Sequence, residues 1–466
     1  MSYFQNFMVP LAQENYLQRA FYEALRPTLM YLAAAPYEEM QTGNGDTIIR
    51  TVPGRMNTTP TKILPGKDIV PESIQYEHFV TTIDQYGSGI DIPTNQAEFT
   101  LAGAKGYMLQ KMIELADQAG SMTNRMARDA IFKAYLGGNT VVSVANGNTT
   151  TIRVAQLNGF WDTVKNGKPA PISAQNPRLI TINGTARNAV GYEPDDGNFP
   201  DGPGTLTLNS AFNALAGHVV LADDRSRILR PKNTTLDLLQ PNDVATLALF
   251  RRAAAELSND GVGTMSDGYY HVHCAPFIIQ ELGNDNEWQR ALQGQGLEPL
   301  KKDGTVNVVG KLRFYDNNQS PQPGAQNSGT PITVPDRGTP LAAGYYGELT
   351  NAIGTQVQRS IVMGEKAVTT LYADEYKAML AEAGQPVGGR PSFAMVGNQL
   401  QMMANDSAMG NIRITIRPPI DRAGQQVAVG WTTTRGFAVY CNLLSGQSKG
   451  RYKRAMAVET GFESIG

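Results

Sequence analysis

Residues 271–274, His-Val-His-Cys, are the densest concentration of chemically capable side chains in this 466-residue sequence, which holds only four histidines and two cysteines. On a strand, alternate residues share a face, so His271 and His273 would point together, and imidazoles beside a thiolate suit zinc. A four-coordinate site needs further ligands. The remaining histidines, His78 and His218, stand alone in the sequence, and the only other cysteine is Cys441. The pattern therefore reads better as two strand histidines beside a buried free thiol. A metal-dependent enzyme using His271, His273 and Cys274 is the alternative it leaves.

Other candidate chemistry is thinner. Gly66-Lys67 is followed by Asp68 inside a Pro/Gly-rich segment, which is not a phosphate-binding loop between a strand and a helix. Asp195-Asp196 with Asp201 lacks the spacing and the terminal Glu of a calcium loop. In Asp223-Asp224-Arg225 the carboxylates are adjacent, so on a strand they would face opposite sides. Arg451-Tyr452-Lys453-Arg454 mixes cations with one aromatic, which is little for single-strand binding; an internal wall against nucleic acid and plain subunit contacts compete for it. No catalytic, cofactor or metal residues are assigned from these patterns, and the expectation is a protein that is not an enzyme.

The elements around these residues say more. Over 93–138, apolar residues recur at steps of mostly three and four (Leu101, Met108, Met112, Leu115, Ala119, Met122, Met126, Ala130, Ala134), with Asn95 able to cap the start and Gly137-Gly138 the end. That spacing predicts one helix of roughly 60 Å, a spine far longer than an ordinary globular helix. Before it, residues 46–92 switch to period two. Strands over 47–52 and 74–92 flank a Pro/Gly-rich tip, a long hairpin that is marginal by itself in water. Residues 1–45 form an amphipathic arm, with Leu17, Phe21, Leu25, Leu29 and Leu32 at helical spacing. It is expected to bury its apolar face on a neighbouring subunit, with an intramolecular brace as the alternative.

After the spine, 139–232 break into short β runs at 141–144, 150–154, 179–182, 205–208 and 218–222, which suggests a small all-β module. Helical signals at 241–257, 275–282, 286–292 and 374–382 alternate with strands at 269–273, 306–314 and 360–363, a mixed body over 233–410. Strands return over 411–466 at 412–417, 427–431, 436–442 and 454–459. Here eight Lys and Arg between 413 and 454 face only Asp421, Glu459 and Glu463.

Composition sets bounds on partners. Forty basic against 42 acidic residues leave a net charge of -2, without the excess of a dedicated nucleic-acid binder. Two cysteines make no disulfide framework, and no long apolar run suggests a membrane span. Charged residues are only 18%, with 47 Gly and 27 Pro, a balance that suits a surface covered by neighbours.

The order of arm, hairpin, spine helix, β module, mixed body and returning strands resembles the major capsid proteins of tailed bacteriophages. The wording is closest to coats of short-tailed phages: Thr81-Thr82-Ile83-Asp84-Gln85-Tyr86-Gly87 ahead of the spine, Ala275-Pro276-Phe277 through Asn284-Asp285-Asn286-Glu287-Trp288, Ile361-Val362-Met363-Gly364-Glu365-Lys366-Ala367-Val368, and Arg454-Ala455-Met456-Ala457-Val458-Glu459-Thr460. The resemblance implies an α+β fold of the tailed-phage capsid type. It assigns 1–45 to an N-terminal arm, 46–92 to an extended hairpin loop over a neighbour, 93–138 to the spine of a peripheral domain and 139–232 to an inserted β module. An axial domain then covers 233–410, and 411–466 are strands returning to the peripheral and axial domains. It also implies self-assembly into hexamers and pentamers of an icosahedral head around double-stranded DNA. The partners to expect are a scaffolding protein, a portal protein, a candidate decoration protein, and DNA held non-specifically, with no membrane and no cofactor. The place would be the virion, assembled in the host bacterial cytoplasm. A tail or portal subunit is the remaining structural alternative.

Overall fold

Gly103–Tyr135 is an α-helix of 33 residues, about 50 Å long. Its buried stripe is Met112, Leu115, Ala116, Ala119, Thr123, Asn124, Ala127, Ile131, Phe132 and Tyr135. Met122, Met126 and Ala130, expected on that stripe, sit only half-buried beside it, because a straight helix turns 3.6 residues per turn and the stripe drifts. The chain leaves the helix where the glycines stand, with Gly138 at φ 74. A computed structural model describes residues 30–40, 47–53, 76–93, 103–165, 168–195, 203–222, 228–233, 239–295, 305–317, 319–320, 326–327, 330–331, 349–350, 355–373, 393–396, 399–403, 412–417, 426–439 and 454–462. The expected cap Asn95, the hairpin tip, the first turns of the arm and the helix read at 374–382 lie outside these residues.

The chain divides into two units. The first comprises Met1–Ile48, Val80–Arg128 and Val368–Ala438. Its sheet runs Tyr37–Met40, Thr369–Ala373, Gln426–Ala438, Ile412–Arg417, Gln399–Met403, Phe393–Val396, and Asp84–Pro93 pairs with Gln426–Ala438 as well. Leu371, Val429 and Trp431 are buried in it. Residues 427–431 and 436–442, read as two strands, are largely one continuous strand to Ala438, since Gly436 interrupts the apolar pattern without breaking the ladder.

Two further readings need correction. The segment 74–92 is not one hairpin strand. Tyr76–Thr82 pairs with Thr47–Pro53 in a two-stranded ribbon, and after Ile83 the strand Asp84–Pro93 joins the larger sheet instead. Ile83 is buried with Leu371 and Ala438, and that anchor parts the two. The other correction concerns the arm. Residues 30–40, expected to bury on a neighbour, are braced within their own unit: Tyr31, Leu32, Ala34 and Ala35 are buried, and Tyr37–Met40 runs parallel to Thr369–Ala373.

The second unit comprises Ile49–Phe79, Asp129–Ala367 and Val439–Gly466. Its sheet is ordered Ile228–Leu229, Ala455–Gly461, Gln356–Met363, Tyr270–Cys274, Leu312–Asp316, Thr305–Val309. Ala455–Gly461 is buried at all seven positions, as a strand in the middle of a covered sheet must be. Helix Leu247–Asn259 lays Leu247, Phe250, Ala253, Ala254 and Leu257 into the core, where Phe250 meets Phe314 edge to face at 5.4 Å. Helices Pro276–Gly283 and Asn286–Gln295 add Ile278, Leu282 and Trp288. The run 306–314 is two strands turning at Gly310, whose φ of 61 only glycine adopts freely.

Residues 139–222 fold as a closed six-stranded barrel in the order Thr185–Pro194, Gly204–Ala214, Asn146–Val154, Asn139–Val144, Val219–Ala222, Arg178–Ile182. Its core is its own: Val142, Ile152, Val154, Ile180, Ile182, Leu206, Leu208 and Val220, with Leu157, Phe160 and Ile172. Entry and exit are pinned at Gly138, whose N–H donates to Asn158 O at 3.0 Å and whose O accepts from Ala222 N at 2.8 Å. Gly159 (φ 76) lies so close that an added Cβ would sit 2.3 Å from Gly138 N.

Candidate functional site

The His-Val-His-Cys segment is the strand Tyr270–Cys274, parallel to Leu312–Asp316 and antiparallel to Gln356–Met363. Alternation sends Val272 and Cys274 into the apolar core and both histidines to the other face. There Tyr315, directly opposite His273, stacks on it at 5.0 Å and 10° and tilts against His271 at 5.0 Å. His271 Nε2 is 2.8 Å from Asp267 Oδ2, which also accepts from Arg313 Nη1 at 2.9 Å. The Tyr269 N–H donates to Asp267 Oδ1 at 3.1 Å, and the Arg313 guanidinium lies over the Tyr269 ring.

The electrostatics of this cluster are those of a packed wall. Burial, reinforced by the positive charge on His271, lowers His273 to about 3, so it is neutral at physiological pH. Burial pushes the Cys274 thiol up to about 12; a hydrogen bond with Ser360 opposes this weakly and the Asp316 charge adds to it. Burial tends to raise Asp267, but its hydrogen bond with His271, the Tyr269 amide, and the charges of His271 and Arg313 together hold it below the usual carboxylate range. Cys274, buried on the opposite side of the strand from the imidazoles, cannot share a zinc ion with them. Among the described residues, no group of three or more His, Cys, Asp or Glu is placed to hold a metal.

A second polar cluster was not singled out by sequence. Glu459, fully buried, accepts from Arg359 Nε at 3.0 Å and Arg230 Nε at 2.8 Å, and Arg359 is its direct cross-strand partner. Burial alone would raise the Glu459 carboxyl, but the two guanidinium charges and their hydrogen bonds bring it below its ordinary value. The cluster ties three adjacent segments of the sheet together. No local signal pairs Arg359 with Glu459, which lie 100 positions apart.

The remaining candidates are scattered. Asp195 pairs with Arg153 at 2.6 Å on the barrel surface. His218 Nδ1 accepts from the Leu215 N–H at 3.3 Å, an ordinary turn contact. Arg454 Nη1 donates to Glu365 O at 3.2 Å. Gly66–Asp68, Asp196, Asp201, 223–225, 451–453 and Cys441 lie outside the described residues.

The quoted sequence motifs land on structural joints. Within 275–288, Asp285 Oδ2 accepts from Leu247 N at 2.7 Å, capping helix Leu247–Asn259 from outside, and Glu281 Oε2 accepts from Ala245 N at 3.2 Å. Motifs 361–368 and 454–460 run side by side, Met363 opposite Ala455 and Ser360 opposite Val458, closed by Gly364 N donating to Arg454 O at 2.8 Å. Gly364 admits no Cβ there: it would lie 2.5 Å from Val262 Cγ1.

No protein-family model matches the sequence, and no curated protein matches it. Solved structures to which it is similar include several phage capsids. The capsid of Ralstonia phage GP4 shares 12% identity over 95% of this chain and 93% of that chain, with a TM-score of 0.48. The cyanophage Pam1 capsid shares 12% over 95% and 92%, with a TM-score of 0.46. The mature capsid of bacteriophage PhiM1 shares 10% over 94% and 87%, with a TM-score of 0.42. No helix among the described residues is long and apolar enough to cross a membrane.

Proposed function

We propose that this chain is a major capsid protein, a non-enzymatic shell subunit that associates with copies of itself as hexamers and pentamers of an icosahedral phage head around double-stranded DNA. The observation that carries this reading is the ribbon Thr47–Pro53 with Tyr76–Thr82. It is two-stranded among the described residues, and two strands alone are marginal in water. Such an element is built to be completed by another chain. The order of ribbon, 33-residue helix, barrel and two sheets agrees with the sequence resemblance, and the one constellation that invited catalysis holds a neutral imidazole and a protonated thiol.

Within this proposal the spine and the strands of the first unit form the peripheral domain, much of 233–410 the axial domain, and the barrel an insertion. Scaffolding, portal and decoration proteins are its assembly partners, packaged DNA is contacted without sequence preference, and the virion is its place after assembly in the host bacterial cytoplasm. Electron microscopy of the purified or co-expressed protein tests it. Closed shells, or hexamers and pentamers, are expected; rings or tubes would indicate a portal or tail subunit, and a monomer at every concentration would refute it.

A further inference from the structure

The strands of the barrel alternate in direction, so its connections fall at two ends. Entry at Asn139 and exit at Ala222 share one end, and the turns 144–146, 183–184 and 215–218 share the other. None of these three turns holds Asp, Glu, Lys or Arg. Val144 and Leu215 stand there 52% and 54% exposed, two of the four large apolar side chains that are exposed among the described residues. They meet at one rim, because Gly217 N donates to Val142 O at 2.8 Å.

Arg187 is the only Lys, Arg, Asp or Glu within four positions of any of these turns. Its guanidinium lies over the Phe212 ring at 5.4 Å and donates from Nη1 to Ala186 O at 2.9 Å, and no carboxylate pairs with it among the described residues. An arginine backed by an aromatic ring, beside exposed apolar side chains, has the composition of an interface centre and not of a solvated face. We infer that this end of the barrel is a docking surface, and that it receives the Glu193 edge of a second copy's barrel, head to tail. The inference rests on the shell-subunit reading and gives the barrel a part in joining subunits.

Charge selects that occupant. Glu193 lies on the same strand as Arg187, Thr185–Pro194, six positions further on; it is exposed and has no ion pair among the described residues. Six strand residues span roughly 20 Å, so one chain cannot join its own two charges. Beside Glu193 the half-buried rings of Tyr192 and Trp161, 6.3 Å apart, offer apolar surface to match Val144 and Leu215. Two arginine ends pressed together would leave two cations unmatched, so the contact is heterologous. Such a contact repeats from copy to copy and closes into rings when the rotation allows, as pentamers and hexamers require.

Charge exchange in the full chain tests this, with particle dissociation in urea followed by light scattering and the melting of free subunits measured alongside. Arg187→Glu and Glu193→Arg should each leave subunit melting unchanged and speed particle dissociation about ten-fold or more, and the double variant should return to the wild-type rate. Leu215→Ser, at a side chain outside the barrel core, should speed dissociation as well. Wild-type durability in either charge variant would overturn the contact while leaving the shell reading intact. Weak particles from Arg187→Glu with no recovery in the double variant would put a different acidic partner on this surface, and would overturn it equally. A wild-type chain that yields no assembled species would overturn the shell reading, and this contact with it.

Discussion

Asn124 Oδ1 accepts hydrogen bonds from the backbone N–H groups of Tyr31, at 2.7 Å, and Leu32, at 3.2 Å, with all three residues buried. The side chain projects from the long helix and caps the short helix Met30–Ala33, so a polar residue on an apolar stripe holds the arm to its own chain. Asn124→Ala would leave two buried donors unmet, a loss of about 2 kcal/mol or more. Denaturant unfolding should show it, and exchange over 30–40 should quicken while the helix amides stay protected. Unchanged protection of 30–40 would count against the clamp.

Glu459 sits between two guanidinium groups without solvent. Glu459→Gln leaves two cations facing a neutral amide, and breaking such a buried set costs roughly 3–5 kcal/mol. Because its folded pKa is depressed, the carboxylate's contribution is present above about pH 4.5 and fades as the pH falls through the folded value. Wild-type stability should therefore drop on acidification below that point, and the Gln variant should lack this part of the slope. Equal acid slopes would refute the assignment.

His273 and Cys274 predict losses at opposite ends of the pH range. The imidazole is buried neutral, so the unfolded chain binds the extra proton between its ordinary value of 6.5 and the folded value of about 3, and stability declines as pH falls across that window. His273→Phe, which keeps a ring against Tyr315, should flatten it. The thiol, raised from 9.0 to about 12, contributes stability that is lost as pH climbs between those values. In the native subunit at pH 7.5, peptide mapping after a thiol reagent should find Cys274 unlabelled; rapid labelling would contradict its burial.

Two glycines of the barrel separate strain from crowding. Gly184 turns at φ 80 in open space, so Gly184→Ala should cost only the left-handed penalty of about 1–2 kcal/mol. Gly159 turns at φ 76 against Gly138 N, so Gly159→Ala must also push backbone aside and should cost clearly more. Thermal melts of the two variants compare them directly. Equal shifts would mean the neck yields.

If the shell-subunit proposal holds, residues 57–67 bear on assembly and not on the folding of the subunit. Removing residues 57–67 should leave a folded, soluble subunit that fails to close shells or closes fragile ones, seen by microscopy beside an unchanged circular dichroism spectrum. Normal shells from the deletion variant would show that the tip has no part in closure.

Periodicity along the chain was enough to find the long helix and its glycine stop, five of the strands in 139–222 though not Thr185–Pro194, and helices Leu247–Asn259, Pro276–Gly283 and Asn286–Gln295, because each depends on residues within a few positions of one another. The reading of 271–274 as two strand histidines beside a buried thiol was legible, because further ligands could be counted and were missing; the stacking of Tyr315 on His273 was not. Tertiary structure alone decided the partners. Thr369–Ala373 lies against Gln426–Ala438, Gln356–Met363 against Ala455–Gly461, and Asp84–Pro93 leaves the ribbon for the sheet. Strand pairing is settled by which apolar faces can be covered together, a property of segments far apart in sequence. Asn124 shows the boundary best. Sequence spacing put the buried stripe through Met122 and Met126 and did not single out Asn124; only the folded chain shows it buried and brings Tyr31 and Leu32 to it, 93 and 92 residues away.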